Sequence, residues 1–327
     1  MAANGKSSVR SRLGLLSVGA IALLALAGCG KSGTTTSTSA STSTPATTST
    51  QATTTTATPA GEGPQLSFAD PSGSVGFIDH GVIERKGSVV VHDIAFRSGT
   101  EPIEGFLVEP IDATNLPGIV LMHGSGGDRN ELLSKAIELA QRGAVTLTLT
   151  APSTSDPLPA PTNVAELLAG STATTVRDVV AVRRAADVLA SRPTVNPKRI
   201  GYLGWSAGAK TGTFVAASDP RFRALALLSA GADTVTAFVA QAPPADRKIA
   251  RQALGSIDPI RYVALARPGT LLLEDGTRDQ VIPHEALENV VRAAPHGTVV
   301  HWYPAGHALN AKAYGAAFTW LLQRLRS

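Results

Sequence analysis

Short apolar runs alternate with longer amphipathic segments from about residue 118 to the end of the chain. The runs end in loops that contain Gly or Asp, which is typical of buried strands in a parallel sheet covered by helices on both faces. Six strands of this kind are predicted, at Gly118–Met122, Val145–Thr150, Arg199–Leu203, Ala224–Ser229, Thr270–Glu274 and Val299–Tyr303. The predicted helices are Asn130–Arg142, Thr174–Ser191, Ala207–Ser218, Pro283–Ala293 and Asn310–Leu325.

Two further β-rich stretches, Val89–Phe96 and Ile103–Glu109, precede these elements and are separated by turn-prone residues, which predicts an antiparallel pair. Right-handed crossovers then fold residues 65–327 into one doubly wound α/β domain with a mostly parallel sheet. Between the sixth and seventh of these eight predicted strands lies Gly231–Ala266, which is too long for a simple connection. We expect it to form a short lid or active-site wall, with a helix near Ala245–Leu254.

The first 28 residues have the three-part pattern of a secretory signal. A basic stretch containing Lys6, Arg10 and Arg12 is followed by the apolar run Leu13–Ala27 and by small residues. The run is shorter than the roughly 20 apolar residues that a spanning helix needs, and an uncleaved anchor helix is the alternative interpretation. Without this segment the formal net charge falls from +4 to +1, so the composition indicates no nucleic-acid partner.

Cys29 is the only cysteine in the 327 residues. Together with the preceding Leu26-Ala27-Gly28 it resembles the lipobox of bacterial lipoproteins, in which a diacylglyceryl group is attached to the cysteine and cleavage leaves that cysteine first. The resemblance implies lipidation of Cys29, and two acyl chains hold a domain stably on a membrane. We therefore expect an exported protein that is lipid-anchored to the bacterial cell envelope, with its folded domain outside the cytoplasm.

Residues 29–64 are predicted to form a disordered tether. Of the 29 residues from Ser32 to Ala60, 20 are Ser or Thr, and none is charged or has a large apolar side chain. Such a composition buries too little surface to offset the entropy of ordering. A flexible chain of about 30 residues reaches about 30 Å, enough to lift a domain clear of the lipid headgroups.

A candidate nucleophile lies between the predicted strand Arg199–Leu203 and the next helix. The residues joining them are Gly204-Trp205-Ser206-Ala207-Gly208, which is the nucleophile-elbow pattern G-x-S-x-G in its strand-turn-helix context. The two glycines remove side chains that would clash, so the Ser206 hydroxyl can project above the sheet. The helix N-terminus directs free N–H groups to the same place, which makes the N–H of Ala207 a candidate oxyanion donor.

A serine nucleophile needs a base and an acid that orients the base. Asp279 follows the predicted strand Thr270–Glu274, and His307 follows the last strand. Asp275 is the alternative acid, although Asp275-Gly276 is interpreted as a turn pair that closes the strand. The remaining histidines considered are expected to be structural or solvated: His80, His92, His284, His296 and His301.

The third predicted strand ends in a glycine-rich loop, His123-Gly124-Ser125-Gly126-Gly127. Glycines in such a turn let backbone N–H groups approach a substrate carbonyl oxygen closely. The second oxyanion donor is therefore predicted to be the N–H of Ser125, with that of Gly126 as the alternative. No group of Cys, His or acidic residues has metal-ligand spacing, and we expect neither a metal nor a cofactor.

These segments together resemble the α/β-hydrolases, and specifically the dienelactone-hydrolase-like group of esterases and peptidases, from about residue 92 to 325. The resemblance rests on residues 123–127, 196–208, 275–279 and 306–307. The chain order of serine, acid and histidine also matches that of the α/β-hydrolases. The resemblance implies an α/β-hydrolase fold and a triad of Ser206, Asp279 and His307, with Ser125 and Ala207 as oxyanion donors.

Dienelactone hydrolases have a cysteine nucleophile where this chain has Ser206, which favours ordinary carboxylesterase chemistry. The predicted function is two-step ester hydrolysis through an acyl-enzyme. The small Ala207 and the short lid favour short acyl groups or accessible esters on a small molecule or a polymer. A serine peptidase or an acyltransferase would use the same triad, and a non-catalytic binding lipoprotein is the alternative of a different class.

Overall fold

The computed structural model describes residues 65–69, 73–160, 164–232, 239, 244 and 247–326. The predicted signal, Cys29 and the tether lie outside the described residues. Within the described part, nine strands form one sheet: β1 Ile78–Lys86, β2 Val89–Ser98, β3 Glu101–Pro110, β4 Leu116–Met122, β5 Val145–Leu149, β6 Val195–Trp205, β7 Phe222–Leu228, β8 Leu271–Gly276 and β9 Val299–Tyr303.

Eight α-helices are described: α1 Leu133–Gln141, α2 Pro152–Ser155, α3 Val164–Ser191, α4 Ala207–Ser218, α5 Arg247–Leu254, α6 Pro259–Val263, α7 His284–Ala293 and α8 Ala311–Arg326. A single 3₁₀ turn, Gly255–Ile257, joins α5 and α6. Among these helices none is long and apolar enough to cross a membrane.

The sheet has the order β1-β2-β3-β5-β4-β6-β7-β8-β9. Strands β1, β2, β3 and β5 pair antiparallel, and β5, β4 and β6 to β9 pair parallel. The chain runs from β4 outward to β5 and then back across β4 to β6. In a doubly wound sheet a ligand site lies at such a reversal, outside the carboxyl ends of the strands. The reversal here lies between the carboxyl ends of β4 and β6.

Two apolar clusters cover the two faces of the sheet. On one face, α3, α4, α6 and α7 bury side chains such as Val182 and Phe214, and on the other face α1 and α8 bury Ile137 and Phe318. Fully burying a side chain of this size contributes about 1.5 to 3 kcal/mol. The predicted doubly wound, mostly parallel α/β fold is confirmed.

The strand β1 is absent from the sequence prediction. Its residues are nearly all exposed, including the apolar Ile78 and Ile83, so the segment has no alternation between a buried and a solvated face. It is held as an edge strand by ladder pairing to β2 alone. Helix α3 begins at Val164, ten residues before the predicted Thr174. Gly170 and Ser171 weaken the helical pattern in those residues.

The lid predicted at 231–266 lies partly outside the described residues. Its described C-terminal part is α5, the 3₁₀ turn and α6. Tyr262 of α6 is fully buried and packs against Phe214 of α4, with ring centroids 4.5 Å apart, and against Phe68 at 6.0 Å. Tyr262 also accepts a hydrogen bond from Leu66 N–H at 2.8 Å. This end of the insertion is therefore part of the core.

Two glycines in helix interiors have opposite surroundings. A Cβ at Gly212 of α4 would overlap Leu227 and lie 2.7 Å from Tyr202, whereas a Cβ at Gly315 of α8 would meet nothing within 4 Å. We expect Gly212→Ala to lower the free energy of unfolding by about 1 to 3 kcal/mol through overpacking. Gly315→Ala should raise it by about 0.5 to 1 kcal/mol, because alanine is the better helix former. Denaturant unfolding of both variants measures the difference, and equal effects would contradict it.

Candidate active site

Ser206 lies at the sharp turn from β6 into α4. Its backbone has φ 56° and ψ −114°, a conformation that non-glycine residues seldom adopt. The turn is tight enough that a Cβ at Gly204 would overlap the Gly208 carbonyl group, and one at Gly208 would overlap Met122 O. Ser206 N–H donates to Leu228 O at 2.9 Å, which ties the turn to β7. These contacts hold the Ser206 hydroxyl at the carboxyl end of the sheet.

The structure brings Ser206, His307 and Asp279 together in one line of hydrogen bonds. Ser206 Oγ lies 2.9 Å from His307 Nε2, and His307 Nδ1 lies 2.8 Å from Asp279 Oδ2. An ionised carboxylate only accepts, so His307 Nδ1–H donates to Asp279 and Nε2 is left to accept from the Ser206 hydroxyl. In this tautomer the imidazole can remove a proton from the serine.

The Asp279 carboxylate accepts three hydrogen bonds in all. Its Oδ1 accepts from Val281 N–H at 2.8 Å and from Ile282 N–H at 2.9 Å, and its side chain is only 1% exposed. Burial by itself would raise the pKa of Asp279. The hydrogen bonds from His307, Ile282 and Val281 and the nearby imidazole outweigh that effect, so the pKa of Asp279 lies below its ordinary value. The carboxylate therefore remains ionised at neutral pH.

The loop that carries His307 is held in place by two hydrogen bonds to the backbone carbonyl oxygen of His307. Trp205 Nε1–H donates to His307 O at 2.9 Å, and the hydroxyl of the fully buried Ser229 donates to the same oxygen at 3.0 Å. The Trp205 ring also lies 5.3 Å from the imidazole, centroid to centroid. Trp205, next to the nucleophile, and Ser229, directly after β7, thus fix the position of His307. Sequence reasoning assigned no role to Trp205 or Ser229.

The glycine-rich loop after β4 is oriented by His123, which is 3% exposed. His123 Nε2 lies 3.0 Å from Ala151 N–H and accepts from it, so its proton is on Nδ1, which donates to Gly124 O at 2.6 Å. Gly127 N–H donates to the same oxygen at 3.2 Å. In a trans peptide the C=O and the following N–H point in opposite directions. The Ser125 N–H therefore points away from buried His123, on the exposed side of the loop.

Three further contacts brace this loop. Gly124 N–H donates to Glu131 Oε2 at 2.8 Å, and a Cβ at Gly124 would lie 2.8 Å from the Trp205 ring, so the loop rests directly on the indole. Behind it, Ser153 N–H donates to Asp178 Oδ1 at 3.0 Å. Burial raises the pKa of Asp178, and the hydrogen bonds from Ser153 oppose the shift. Asp178 thereby holds the turn from which Ala151 N–H donates to His123 Nε2.

The first N–H groups of α4 have no partner within the helix, as at any helix N-terminus. Gly208 N–H donates to His123 O at 3.0 Å, and Lys210 N–H makes the first helical bond, to Ser206 O. The Ala207 N–H is left beside the nucleophile. The structure therefore brings both predicted oxyanion donors, Ser125 and Ala207, to the same strand ends as Ser206. Gly126, the alternative donor, is next in the loop at φ 72°.

We expect His123→Ala to lower kcat by about 10²-fold with KM little changed, because the Gly124–Ser125 peptide loses its fixed orientation. A thionoester substrate, whose sulfur is a weak acceptor, should be affected less, so the rate ratio of oxygen ester to thionoester should fall. Thr148→Val is the control, since Thr148 is equally buried and its hydroxyl has no hydrogen-bond partner. An unchanged rate ratio in His123→Ala would exclude the positioning role.

Asp275, the alternative acid, makes no hydrogen bond to His307. The interpretation of Asp275-Gly276 as a turn pair was wrong. Asp275 and Gly276 are the last residues of β8 and pair with Trp302 and Tyr303 of β9, so they do not form a turn. The Asp275 side chain is buried, which raises its pKa well above the ordinary value, and Oδ1 has no hydrogen-bond partner. The neighbouring Glu274 is also buried, with its pKa raised by burial.

The other histidines lie elsewhere. His301 Nδ1 lies 3.3 Å from Glu274, His92 Nδ1 lies 2.9 Å from Asp79, and His284 Nε2 lies 3.3 Å from Glu288. His80 is in the exposed edge strand, and His296 is in the turn before β9. Among the described residues, no group of three or more His, Cys, Asp and Glu side chains could hold a metal ion.

A cavity of about 350 Å³ opens next to Trp205 and to the residues that follow His307. It lies between the start of α1 and the start of α8. Apolar side chains such as Leu309 line it together with the polar Glu131, Lys135 and Asn310. It adjoins the turn of the nucleophile through Trp205, and neither Ser206, Asp279 nor His307 is among its lining residues.

The described fold and sequence have relatives among known proteins. The family described as "Dienelactone hydrolase family" matches residues 103–317. Acetyl xylan esterase 1 from Thermoanaerobacterium sp. JW/SL YS485 is similar with a TM-score of 0.65 and 16% identity, over 79% of this chain and 89% of that one. An acetyl xylan esterase from Paenibacillus sp. R4 is similar with a TM-score of 0.63 and 17% identity, over 76% and 89%.

A glucuronoyl esterase from Solibacter usitatus is similar with a TM-score of 0.62 and 14% identity, over 82% of this chain and 89% of that one. None of the curated proteins matches the chain in sequence. At these identities the structural similarities establish the fold alone.

Proposed function

The chain belongs to the dienelactone hydrolase family, and from this premise we propose that it is a serine hydrolase that cleaves carboxylic esters through an acyl-enzyme. One observation carries the proposal. The hydroxyl of Ser206, both ring nitrogens of His307 and the carboxylate of Asp279 form two consecutive hydrogen bonds of 2.9 and 2.8 Å. This is the arrangement that makes a serine nucleophilic.

In the first half-reaction, Ser206 Oγ attacks the ester carbonyl carbon while His307 Nε2 takes the hydroxyl proton. The carbonyl oxygen becomes an oxyanion, which the N–H groups of Ser125 and Ala207 stabilise. The tetrahedral intermediate then collapses. The bond to the alcohol oxygen breaks, and His307 gives its proton to the leaving alcohol, so that the acyl group remains on Ser206.

In the second half-reaction, a water molecule repeats these steps on the acyl-enzyme. His307 takes a proton from the water, the oxyanion forms at the same donors, and Ser206 leaves with the proton returned by His307. Asp279 stays ionised throughout and stabilises the imidazolium that forms twice in each cycle. Apart from the attacking water, every group in the scheme belongs to this chain or to the ester.

Short acyl groups and esters on accessible polymers are the proposed substrates. The cavity beside Trp205 has a volume of about 350 Å³ and includes the charged Glu131 and Lys135 among mostly apolar lining residues, which supports a small ester with a polar substituent. The structural neighbours from Thermoanaerobacterium and Solibacter are called acetyl xylan and glucuronoyl esterases. Their names support an ester substrate of modest acyl size.

A series of nitrophenyl esters from acetyl to dodecanoyl tests the function and the acyl preference together. We expect kcat/KM for acetyl and butyryl esters to exceed that for the dodecanoyl ester by at least about tenfold, because each further methylene gains binding energy only where apolar surface receives it. Higher kcat/KM for long chains would contradict the acyl preference. A folded protein that is inert on every ester would contradict the esterase function.

We also propose that the enzyme is anchored by a lipid on Cys29 to a bacterial membrane, with the tether over residues 29–64 between the anchor and the domain. The support is the sequence alone: a signal pattern in residues 1–28 followed by the single cysteine of the chain. The catalytic domain would then act outside the cytoplasm.

A further inference from the structure

A second cavity lies at the opposite end of the sheet from Ser206. Its volume is about 280 Å³, and it is lined by Asn196, Lys198, Arg199, Arg223, Arg324 and Leu325. These residues come from the start of β6, the start of β7 and the end of α8. Arg199 and Ser206 are seven positions apart along β6 and its turn, a distance of about 23 Å along a strand. This basic cavity is therefore separate from the candidate active site.

Four of the six lining residues are cationic, and none is acidic. Several other arginines in the described structure are paired with carboxylates, as in Arg129–Asp93 at 2.6 Å and Arg192–Glu109 at 3.0 Å. Lys198 and Arg223, in contrast, make no ion pair in the part of the chain that the structure describes. Like charges around one cavity repel, and an anion between them converts the repulsion into attraction.

Part of the cavity wall is held by hydrogen bonds and by one ring contact. Asn196 Nδ2–H donates to Asn115 Oδ1 at 2.8 Å, and Lys198 N–H donates back to Asn196 Oδ1 at 3.0 Å, which closes the turn at Pro197. Arg199 donates to Asn115 O at 3.4 Å. From α8, the Arg324 guanidinium lies 5.7 Å from the Trp320 ring centroid. The Arg199 and Arg324 side chains are therefore already positioned, which lowers the entropic cost of binding an anion, while those of Lys198 and Arg223 are exposed beside them.

We propose that the basic cavity is a binding site for a phosphate-type oxyanion, either inorganic phosphate or the phosphodiester of an anionic lipid headgroup. Guanidinium groups bind such oxygens in bidentate fashion, and the lysine adds a point charge. The volume exceeds that of a bare phosphate and leaves room for a substituent such as glycerol. Because the cavity faces away from Ser206, a headgroup bound there would hold the active site on the side of the domain remote from the lipid.

Thermal unfolding of the purified full chain tests this proposal with two probes, inorganic phosphate and dihexanoylphosphatidylglycerol below its micellar concentration. Dihexanoylphosphatidylcholine and chloride at matched ionic strength serve as controls for the acyl chains and for screening. We expect a saturable rise in Tm with phosphate, with the anionic lipid, or with both. A rise in Tm with phosphate alone identifies the free ion as the ligand, and a larger rise with the anionic lipid than with phosphate identifies the headgroup.

The double variant Lys198→Ala/Arg223→Ala should raise the half-saturating concentration of the active probe at least about tenfold, because two charge-assisted contacts are lost. The matched control Arg85→Ala/Lys86→Ala removes two exposed cations from β1 and should bind as the original protein does. Ester hydrolysis should be unchanged in both variants. No saturable rise beyond the chloride control, or an equal rise in the Lys198→Ala/Arg223→Ala variant, would overturn the proposal whether or not the protein is an esterase.

Discussion

Ser206→Ala is expected to lower kcat for ester hydrolysis by about 10⁴ to 10⁶-fold while the protein stays folded. The alanine leaves no oxygen 2.9 Å from His307 Nε2, so no acyl-enzyme forms and only the oxyanion donors and substrate binding remain. Alanine tolerates the φ of 56° about as poorly as serine, so Tm should hardly change. Steady-state hydrolysis of an acetyl ester, together with a burst of nitrophenol in the original protein alone, measures the loss.

Ser125→Ala is the matched control for that prediction. Both serines lie at the site, but in the proposed mechanism Ser125 acts through its backbone N–H, which alanine retains. Its side chain is exposed, and hydrolysis should stay within about threefold of the original rate. Two outcomes would contradict the assignment of Ser206 as the nucleophile. One is a Ser206→Ala variant that keeps more than about 1% of the activity, and the other is an equal loss of activity in Ser125→Ala and Ser206→Ala.

Asp279→Asn is expected to lower kcat by about 10³ to 10⁴-fold. An asparagine placed with its NH₂ toward His307 Nδ1 donates where the carboxylate accepted, so the imidazole proton moves to Nε2. In that tautomer Nε2 cannot accept the Ser206 proton across the 2.9 Å contact. The variant also lacks the negative charge that stabilises the imidazolium. KM should change much less than kcat, since Asp279 is nearly inaccessible to substrate.

Asp275→Asn is the matched control, because it also replaces a buried carboxyl group by an amide but leaves the hydrogen bond to His307 in place. Burial raises the pKa of Asp275 well above the ordinary value, which favours the neutral carboxyl, and a neutral amide of the same shape is therefore the substitution expected to disturb the site least. Its kcat should stay within about fivefold of the original. The pKa of Asp279 is lowered, so its carboxylate is present at all pH values from mildly acidic upward, and the two variants should differ across that whole range. Equal losses in both would show that His307 does not depend on Asp279.

The sequence by itself determined the elements that depend on local chemistry. Continuous apolar runs such as residues 224–228 are buried on both faces of a parallel sheet, so their composition alone predicts a central strand. The G-x-S-x-G pattern is equally recognisable from local sequence, because the clash that excludes a side chain at Gly204 arises within the turn itself, with the Gly208 carbonyl group. Asp279 and His307 were predicted because carboxyl ends of parallel strands meet at one edge.

Other features depended on partners distant in the chain. β1 is a strand only because β2 supplies the ladder, and Asp275 and Gly276 continue β8 only because β9 pairs with them. Ser229 reaches His307 O across 78 positions, and His123 reaches Ala151 across 28. The basic cavity likewise joins β6, β7 and α8. A local pattern indicates which face of an element is apolar. A hydrogen bond, in contrast, forms only when the folded chain places donor and acceptor within about 3 Å of each other. A cavity likewise forms only when the fold brings its lining residues together.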